Sequence, residues 1–357
     1  MRIALDVMGG DHAPGPIVKG AVEATRDQPG LTVVLVGPTE RIEAELTQFP
    51  EADRDRLPIV EASEFITMED KPVEALRRKR DNSIAKCWGL MARGEVKAVV
   101  SAGNTGAMVA AGLMNAKMYL PGIRRPGIAA IFPSHQGPIV IMDVGANLAA
   151  KPEDLYQYGV MGAIYSEHVL GVTAPRIGLL NIGSEEGKGN ELVRAAFTLF
   201  QQSHLANRFV GHVEGRDLYE GHARVVVCEG FVGNVLLKAG EGAVEFLFSV
   251  LNQDFAQLST ALPGDLGLQL RDRLRCIKTR FEYQEFGGAP LLGIQGACII
   301  CHGSSGDRAI HNALRVAATM AEVKLNELIL DALADSPAQP SHADANPVPL
   351  GSDPNPA

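Results

Sequence analysis

The sequence predicts an α/β protein built on a mostly parallel, doubly wound sheet with an inserted helical hairpin. Three observations predict it. Apolar β-branched runs recur along the 357 residues, each run ends in a glycine-rich loop, and most loops open a stretch with helical apolar spacing. Continuous apolar strands need cover on both faces, which crossover helices supply in a parallel sheet. Ligands of such sheets bind beyond the carboxyl ends of the strands, where these loops fall.

Seven strand–loop–helix units follow in order. "RIALDV" leads to "GGDHAPGPIVKGAVEAT", "LTVVLVG" to "PTERIEAEL", and "KAVVSA" to "GNTGAMVAAGLMNAKM". "PIVIMDV" leads to "GANLAAKPEDLYQYGVMGAIYSEHVLG", and "RIGLLNI" to "GSEEGKGNELVRAAFTLF". "RVVVCE" leads to "GFVGNVLLKAGEGAVEFLF", and "ACIICH" to "GSSGDRAIHNALRVAATMAEVKL". One catalytic α/β domain therefore spans 1–334. Within it, 243–286 has helical spacing on either side of Pro263-Gly264 and reads as a hairpin for dimer or membrane contact. Its apolar positions include Phe246, Leu247, Val250 and Leu258, and its cations include Arg271, Arg273, Arg275, Lys278 and Arg280. The stretch 335–357, rich in Pro, Asp, Asn and Ser and free of aromatics, is expected to be disordered.

Composition narrows the function. A net charge of −9 and a pI near 5.5 disfavour a nucleic-acid backbone as general partner. Five cysteines are too few and too unevenly spaced for a secreted disulfide framework. Cys298 and Cys301 form a CxxC, but in a strand residues three apart point to opposite faces. The opening apolar run is too short for a signal peptide, and no stretch reaches the roughly 18 apolar residues of a membrane span. A cytoplasmic address is expected.

Several loops suit an anion, because the first four N–H groups of a helix are unpaired and face its positive end. In "SAGNTGA", Asn104 and Thr105 can cap the helix and donate to an oxyanion. "NIGSEEGKGNE" fails as a nucleotide P-loop, having three residues between Gly183 and Gly187 and Gly189 after Lys188. What remains is a loop with Gly183, Ser184 and Lys188 suited to phosphate alone. "GFVGNVLLK" sets Asn234 at a helix start with Lys238 one turn along. "DVGAN" offers Asp143 and Asn147, and "CHGSSGD" offers His302, Ser304 and Ser305. In "LDVMGGDHAPG", Gly9 and Gly10 permit a tight turn, while Asp6, Asp11 and His12 pose a metal pair against loops held by hydrogen bonds. No GxGxxG, GxSxG or HExxH occurs.

In these motifs and their order, the chain resembles the bacterial phosphate acyltransferases of phospholipid synthesis, the fatty acyl-carrier-protein:phosphate acyltransferases. The matching stretches are "DVMGGD", "SAGNTGA", "DVGAN", "LNIGSEEGKGNE", "EGRDLYEG", "GFVGNVLLK", "GGAPLLG" and "HGSSG", spread over residues 1 to about 330. Glu229 stands where the family pattern has aspartate. The resemblance implies a dimeric fold related to phosphotransacetylases and isocitrate-dehydrogenase-like enzymes. It implies acyl transfer from acyl-carrier protein to inorganic phosphate, no cofactor and no metal. The product would feed a membrane glycerol-3-phosphate acyltransferase, with peripheral membrane association.

The residues agree with that chemistry. Phosphate is a nucleophile already ionised at neutral pH, and a thioester leaves as thiolate, so holding the reactants and stabilising the oxyanion are the main tasks. Lys188, Asn234 and His302 are the expected catalytic residues. Gly9, Gly10, Asp11, Asn104, Thr105, Asp143, Asn147, Gly183, Ser184, Lys238, Ser304 and Ser305 are the expected phosphate and substrate contacts. An acidic carrier protein calls for a basic dock; 77–80, Arg124-Arg125 and 271–280 are the three choices. A CoA-dependent phosphotransacetylase-like enzyme and a pathway scaffold are the competing readings.

Overall fold

Two half-sheets meet in this chain and run in opposite directions. The computed structural model describes residues 1–261, 265–279 and 287–334. Its first half-sheet holds β1 (Arg2–Asp6), β2 (Thr32–Gly37), β3 (Ile59–Glu61), β4 (Ala98–Ser101) and the late β11 (Ala297–Ile300). They are mutually parallel in the order β3-β2-β1-β4-β11. The second half holds β6 (Ile139–Met142), β7 (Ile177–Leu180), β8 (Phe209–Val213) and β9 (Val225–Val227), parallel in the order β6-β9-β7-β8. Between them lie β10 (Ala289–Leu292) and β5 (Gly127–Phe132). The β11–β10, β10–β5 and β5–β6 pairings are all antiparallel. Three reversals turn β6 against β11.

Strand β10 fixes where the halves meet. Ala289 and Pro290 pair with Ile300 and Ile299 at the carboxyl end of β11. Leu291 and Leu292 pair with Ile128 and Gly127 at the start of β5, whose Ala129 pairs with Met142 at the carboxyl end of β6. The carboxyl ends of β4 and β11 therefore face those of β6 and β9 across β10. A sheet read as mostly parallel is confirmed, but the loops do not share one edge. They converge from two opposed half-sheets.

Helices cover both faces. On one face, α1 (Gly15–Asp27), α2 (Thr39–Leu46), α6 (Pro152–His168), α7 (Glu191–Gln201), α10 (Asp307–Glu322) and α11 (Leu325–Ala334) pack with Ile3, Leu5 and Val140. On the other, α3 (Pro72–Arg78), α4 (Ser83–Ala92), α5 (Thr105–Leu113) and the start of α8 (Gly230–Ala261) pack with Ala4, Val99 and Ile141. Alternate residues of one strand thus serve two cores. Cys298 and Cys301 follow the same rule: each is buried in a different core, and burial pushes the Cys301 thiol up to about 12. Such thiols stay protonated and are poor nucleophiles.

Four strands fell outside the seven-unit reading, for physical reasons. β5 returns to β6 through a tight turn at 133–138, not a helix. β10 is four residues long and contains Pro290, which has no N–H to donate. β3 has three residues, and β8 carries Gly211 at φ +88°. The helical reading of 243–286 also changes at its start. "GFVGNVLLK" and the first hairpin arm form one helix, α8, of 32 residues and about 48 Å. α9 (Leu266–Thr279) follows and packs on it. Phe246, Leu247, Val250, Leu266, Leu268 and Ile277 are exposed on this pair. Residues 262–264, 280–286 and 335–357 lie outside the described residues, as do the side chains of Leu258, Arg271, Arg275 and Lys278.

Gly9 shows how tightly the first loop packs. A Cβ there would lie 2.5 Å from the Gly103 nitrogen and 2.8 Å from Asp6 Oδ2. Gly9→Ala should cost about 1–3 kcal/mol, the usual scale of overpacking, in urea unfolding. An unchanged midpoint would contradict this packing.

Candidate active site

Two buried carboxylates shape the opposed strand ends. Asp6, the last residue of β1, accepts from Ser101 Oγ at 2.7 Å and from the Met8 N–H at 3.2 Å. Asp143, just after β6, accepts four backbone N–H groups: Ile128, Gly145 and Ala146 on Oδ1 and Asn147 on Oδ2, at 2.8–3.1 Å. Burial pushes both carboxyls up, and these donors oppose it. Both acids are loop holders. Asp11 is exposed and joins the strand ends through its backbone, donating to the Gly303 carbonyl at 2.7 Å. Gly10 stands beside it at φ +111°. Among the described residues no His, Cys, Asp and Glu cluster has metal-binding geometry.

Where the carboxyl ends meet, a cavity of about 650 Å³ opens. Thr105 from the start of α5, His302 from the end of β11, Gly145 and Ala146 after β6, and Asn234 and Lys238 from α8 all line it. The motifs "SAGNTGA", "DVGAN", "GFVGNVLLK" and "HGSSG", far apart in sequence, each supply part of this cavity or its loops. The buried floor is apolar, with Val109, Ala110, Ile128, Val144, Ala289 and Ile300.

His302 has an assignable tautomer. Its Nδ1 accepts the Ser304 N–H at 3.2 Å and lies 2.8 Å from Ser304 Oγ. An accepting Nδ1 places the proton of the neutral ring on Nε2. Nε2–H is then a donor with no partner among the described residues. The Asn234 side chain likewise has no hydrogen-bond partner among the described residues, and Lys238 pairs with Glu241 at 2.8 Å on the cavity rim.

Other expected contacts take different places. Asn104 caps α5 through Oδ1, accepting from Ala107 N–H at 3.0 Å, and its amide donates to the Thr67, Met68 and Asp70 carbonyls. Its amide is already occupied, and it is Thr105 that stands at the cavity. Asn147 is similar, donating to the Pro126 carbonyl at 2.6 Å and Tyr158 Oη at 2.8 Å. Ser304 orients His302, whereas Ser305 is buried outside the lining with an unpartnered Oγ. Gly183, Ser184 and Lys188 lie on the loop after β7, outside the cavity lining. β7 is two strands beyond β6, about 10 Å outward at ordinary strand spacing. Lys188 is exposed there, its backbone carbonyl accepting from Asn181. Glu229 caps α8, accepting from the Phe231 and Val232 N–H groups at 2.7 and 2.9 Å.

The sequence reading missed the α3 wall, Lys71 to Glu74. No glycine loop marks it. Asp70 holds it in place: Oδ2 accepts from Lys79 Nζ at 2.5 Å and Thr67 N–H at 2.8 Å, while its carbonyl accepts from Asn104. These donors hold the Asp70 carboxyl down to about 2.

The fold is that of the phosphotransacetylases. The chain superposes on a phosphotransacetylase from Streptococcus pyogenes with a TM-score of 0.59 at 17% identity, covering 90% of this chain and 94% of that one. It superposes on a branched-chain phosphotransacylase from Enterococcus faecalis with a TM-score of 0.54 at 15% identity, covering 89% and 98%. Sequence relationship goes further. Residues 1–328 match the family described as "Fatty acid synthesis protein", and the chain belongs to it. It is 50% identical over 317 residues to the phosphate acyltransferase of Heliobacterium modesticaldum, covering 89% of this chain and 93% of the relative. It is 47% identical over 335 residues to that of Brevibacillus brevis, covering 93% and 97%. The chain is an enzyme of the acyltransferase class.

The lowered Asp70 pKa has a consequence for acid stability. A depressed carboxyl binds fewer protons in the folded state, so its stabilisation is present above the ordinary value of 3.8 and is lost as pH falls toward 2. Asp70→Asn should be less stable than wild type at neutral pH, with the gap closing near pH 2. A gap that stays constant across that range in urea unfolding would remove the Asp70 carboxylate from this role.

Proposed function

We propose that this enzyme transfers a fatty acyl group from acyl-carrier protein to inorganic phosphate, giving acyl phosphate and free carrier protein. One observation carries the reading: a single cavity joins an α-helix N-terminus and the His302 Nε2–H donor to a deep apolar floor. Phosphate held at the start of α5 attacks the thioester carbonyl carbon. A C–O bond forms, the tetrahedral oxyanion collapses, and the C–S bond breaks to release thiolate. His302 donates to the oxyanion or to the departing sulfur, and Asn234 and Lys238 hold the acceptor. Positioning and charge stabilisation account for the rate, because neither reactant requires prior activation.

The carrier protein docks on α3. The 77–80 cluster adjoins the cavity through α3, and Arg77 and Arg80 are exposed with no ion-pair partner among the described residues. Arg124 is engaged by Asp154 at 3.1 Å in a largely buried pair. The exposed apolar residues of α8 and α9 fit a second copy of the chain or a lipid surface, at which the acyl phosphate passes to a glycerol-3-phosphate acyltransferase. No described helix is long and apolar enough to cross a membrane.

The test is thiol release from palmitoyl carrier protein with and without phosphate. Release that depends on phosphate is expected; phosphate-independent hydrolysis, or none, would refute the reading. His302→Ala should lower kcat about a hundredfold, the scale of one lost oxyanion donor. Reversing both Arg77 and Arg80 to Glu should raise the KM for the carrier-protein substrate about tenfold at low salt and leave that for palmitoyl-CoA nearly unchanged. Equal effects on the two substrates would exclude α3 as the dock.

A further inference from the structure

The cavity is more apolar than phosphate binding needs, and its polar groups are concentrated at the mouth. Thr105 and His302 stand at the start of α5 and the end of β11, while Val109, Ala110 and Leu113 continue the lining down α5. Thr105, Val109 and Leu113 are four residues apart and share one helix face. From Thr105 to Leu113 the helix rises about 12 Å. The opposite wall, Ile128, Ala289 and Ile300, is buried and carries no polar side chain.

We infer that this channel along α5 holds the acyl chain itself, and that Ala110 and Leu113 set the chain length the enzyme accepts. The inference rests on the acyl-transfer reading above. With the thioester carbonyl at the positive end of α5, an apolar path for the methylenes runs past Ala110 toward Leu113. Each buried methylene strengthens binding about fourfold, the equivalent of about 0.8 kcal/mol. The wall residues at the middle and end of the path therefore discriminate between chains. Past the first turn of α5, Ala110 has the smallest side chain on the lining, between Val109 and Leu113, so a larger one there obstructs the path. Leu113 is half-buried in the last turn of α5, so shortening it extends the path.

The chain carries its own reporter. Trp88, its single tryptophan, is buried on α4 against α5. Its ring lies 2.6 Å from where a Gly112 Cβ would be, one residue from Leu113. Dodecanoate brominated at its terminal carbon should quench Trp88 strongly, and dodecanoate brominated beside the carboxylate should quench it weakly. Equal quenching by the two, or none, would overturn the chain site without requiring turnover. The kinetic arm compares kcat/KM for palmitoyl and octanoyl thioesters. Ala110→Leu should lower the palmitoyl-to-octanoyl ratio at least tenfold, and Leu113→Ala should raise it severalfold. An unchanged ratio in either soluble variant overturns the assignment. If Ala110→Leu does not fold, Leu113→Ala and the quenching pair decide. Position-dependent quenching without phosphate-dependent thiol release would overturn the transfer reading and keep the chain site.

Discussion

One carboxylate holds the centre of this structure. Asp143 gathers the N–H of Ile128 from β5 and those of Gly145, Ala146 and Asn147 from the loop after β6. Left unpaired in a buried place, each of those four amides would cost about 1–3 kcal/mol. Burial pushes the Asp143 carboxyl up, and the amides it accepts oppose that shift. Satisfying the amides fixes the end of β6 against the start of β5 and so sets the spacing of the central junction. Asp6 does the same for the other half-sheet, tying the first loop to Ser101 at the end of β4. The two acids occupy matching places, each followed by valine after an apolar strand.

Because the halves run in opposite directions, both sets of carboxyl ends point into one gap. Helix starts and loops arrive there from either side, while β10, β5 and α5 supply apolar walls. In the proposed reaction, charge stabilisation and chain burial share one cavity without competing for the same surface. A reaction between an anion and a long apolar thioester requires both.

Much of this was legible beforehand. The seven apolar runs are strands, Asn104 is an N-cap, and the Asp6 carboxylate accepts hydrogen bonds that hold the first loop. The reversal was not legible, because it is carried by β10, a four-residue strand containing Pro290, and by β5, which a tight turn and not a helix follows. Nor does a motif disclose which of its polar groups are already occupied. The amides of Asn104 and Asn147 look available in sequence, yet backbone carbonyls take both. The Lys188 loop has the right composition for phosphate, but strand order sets it two strands from β6. Composition alone carries no information about that distance. His302 emerged more clearly from structure than from sequence, since only the Ser304 N–H defines its tautomer.

The central claim is that phosphate binds at the start of α5, beside His302. A crystal structure of the chain with bound inorganic phosphate tests it most directly. The account predicts density within hydrogen-bond reach of the Thr105 backbone and His302 Nε2. Phosphate bound instead by Gly183, Ser184 and Lys188, with the α5 terminus empty, would contradict it.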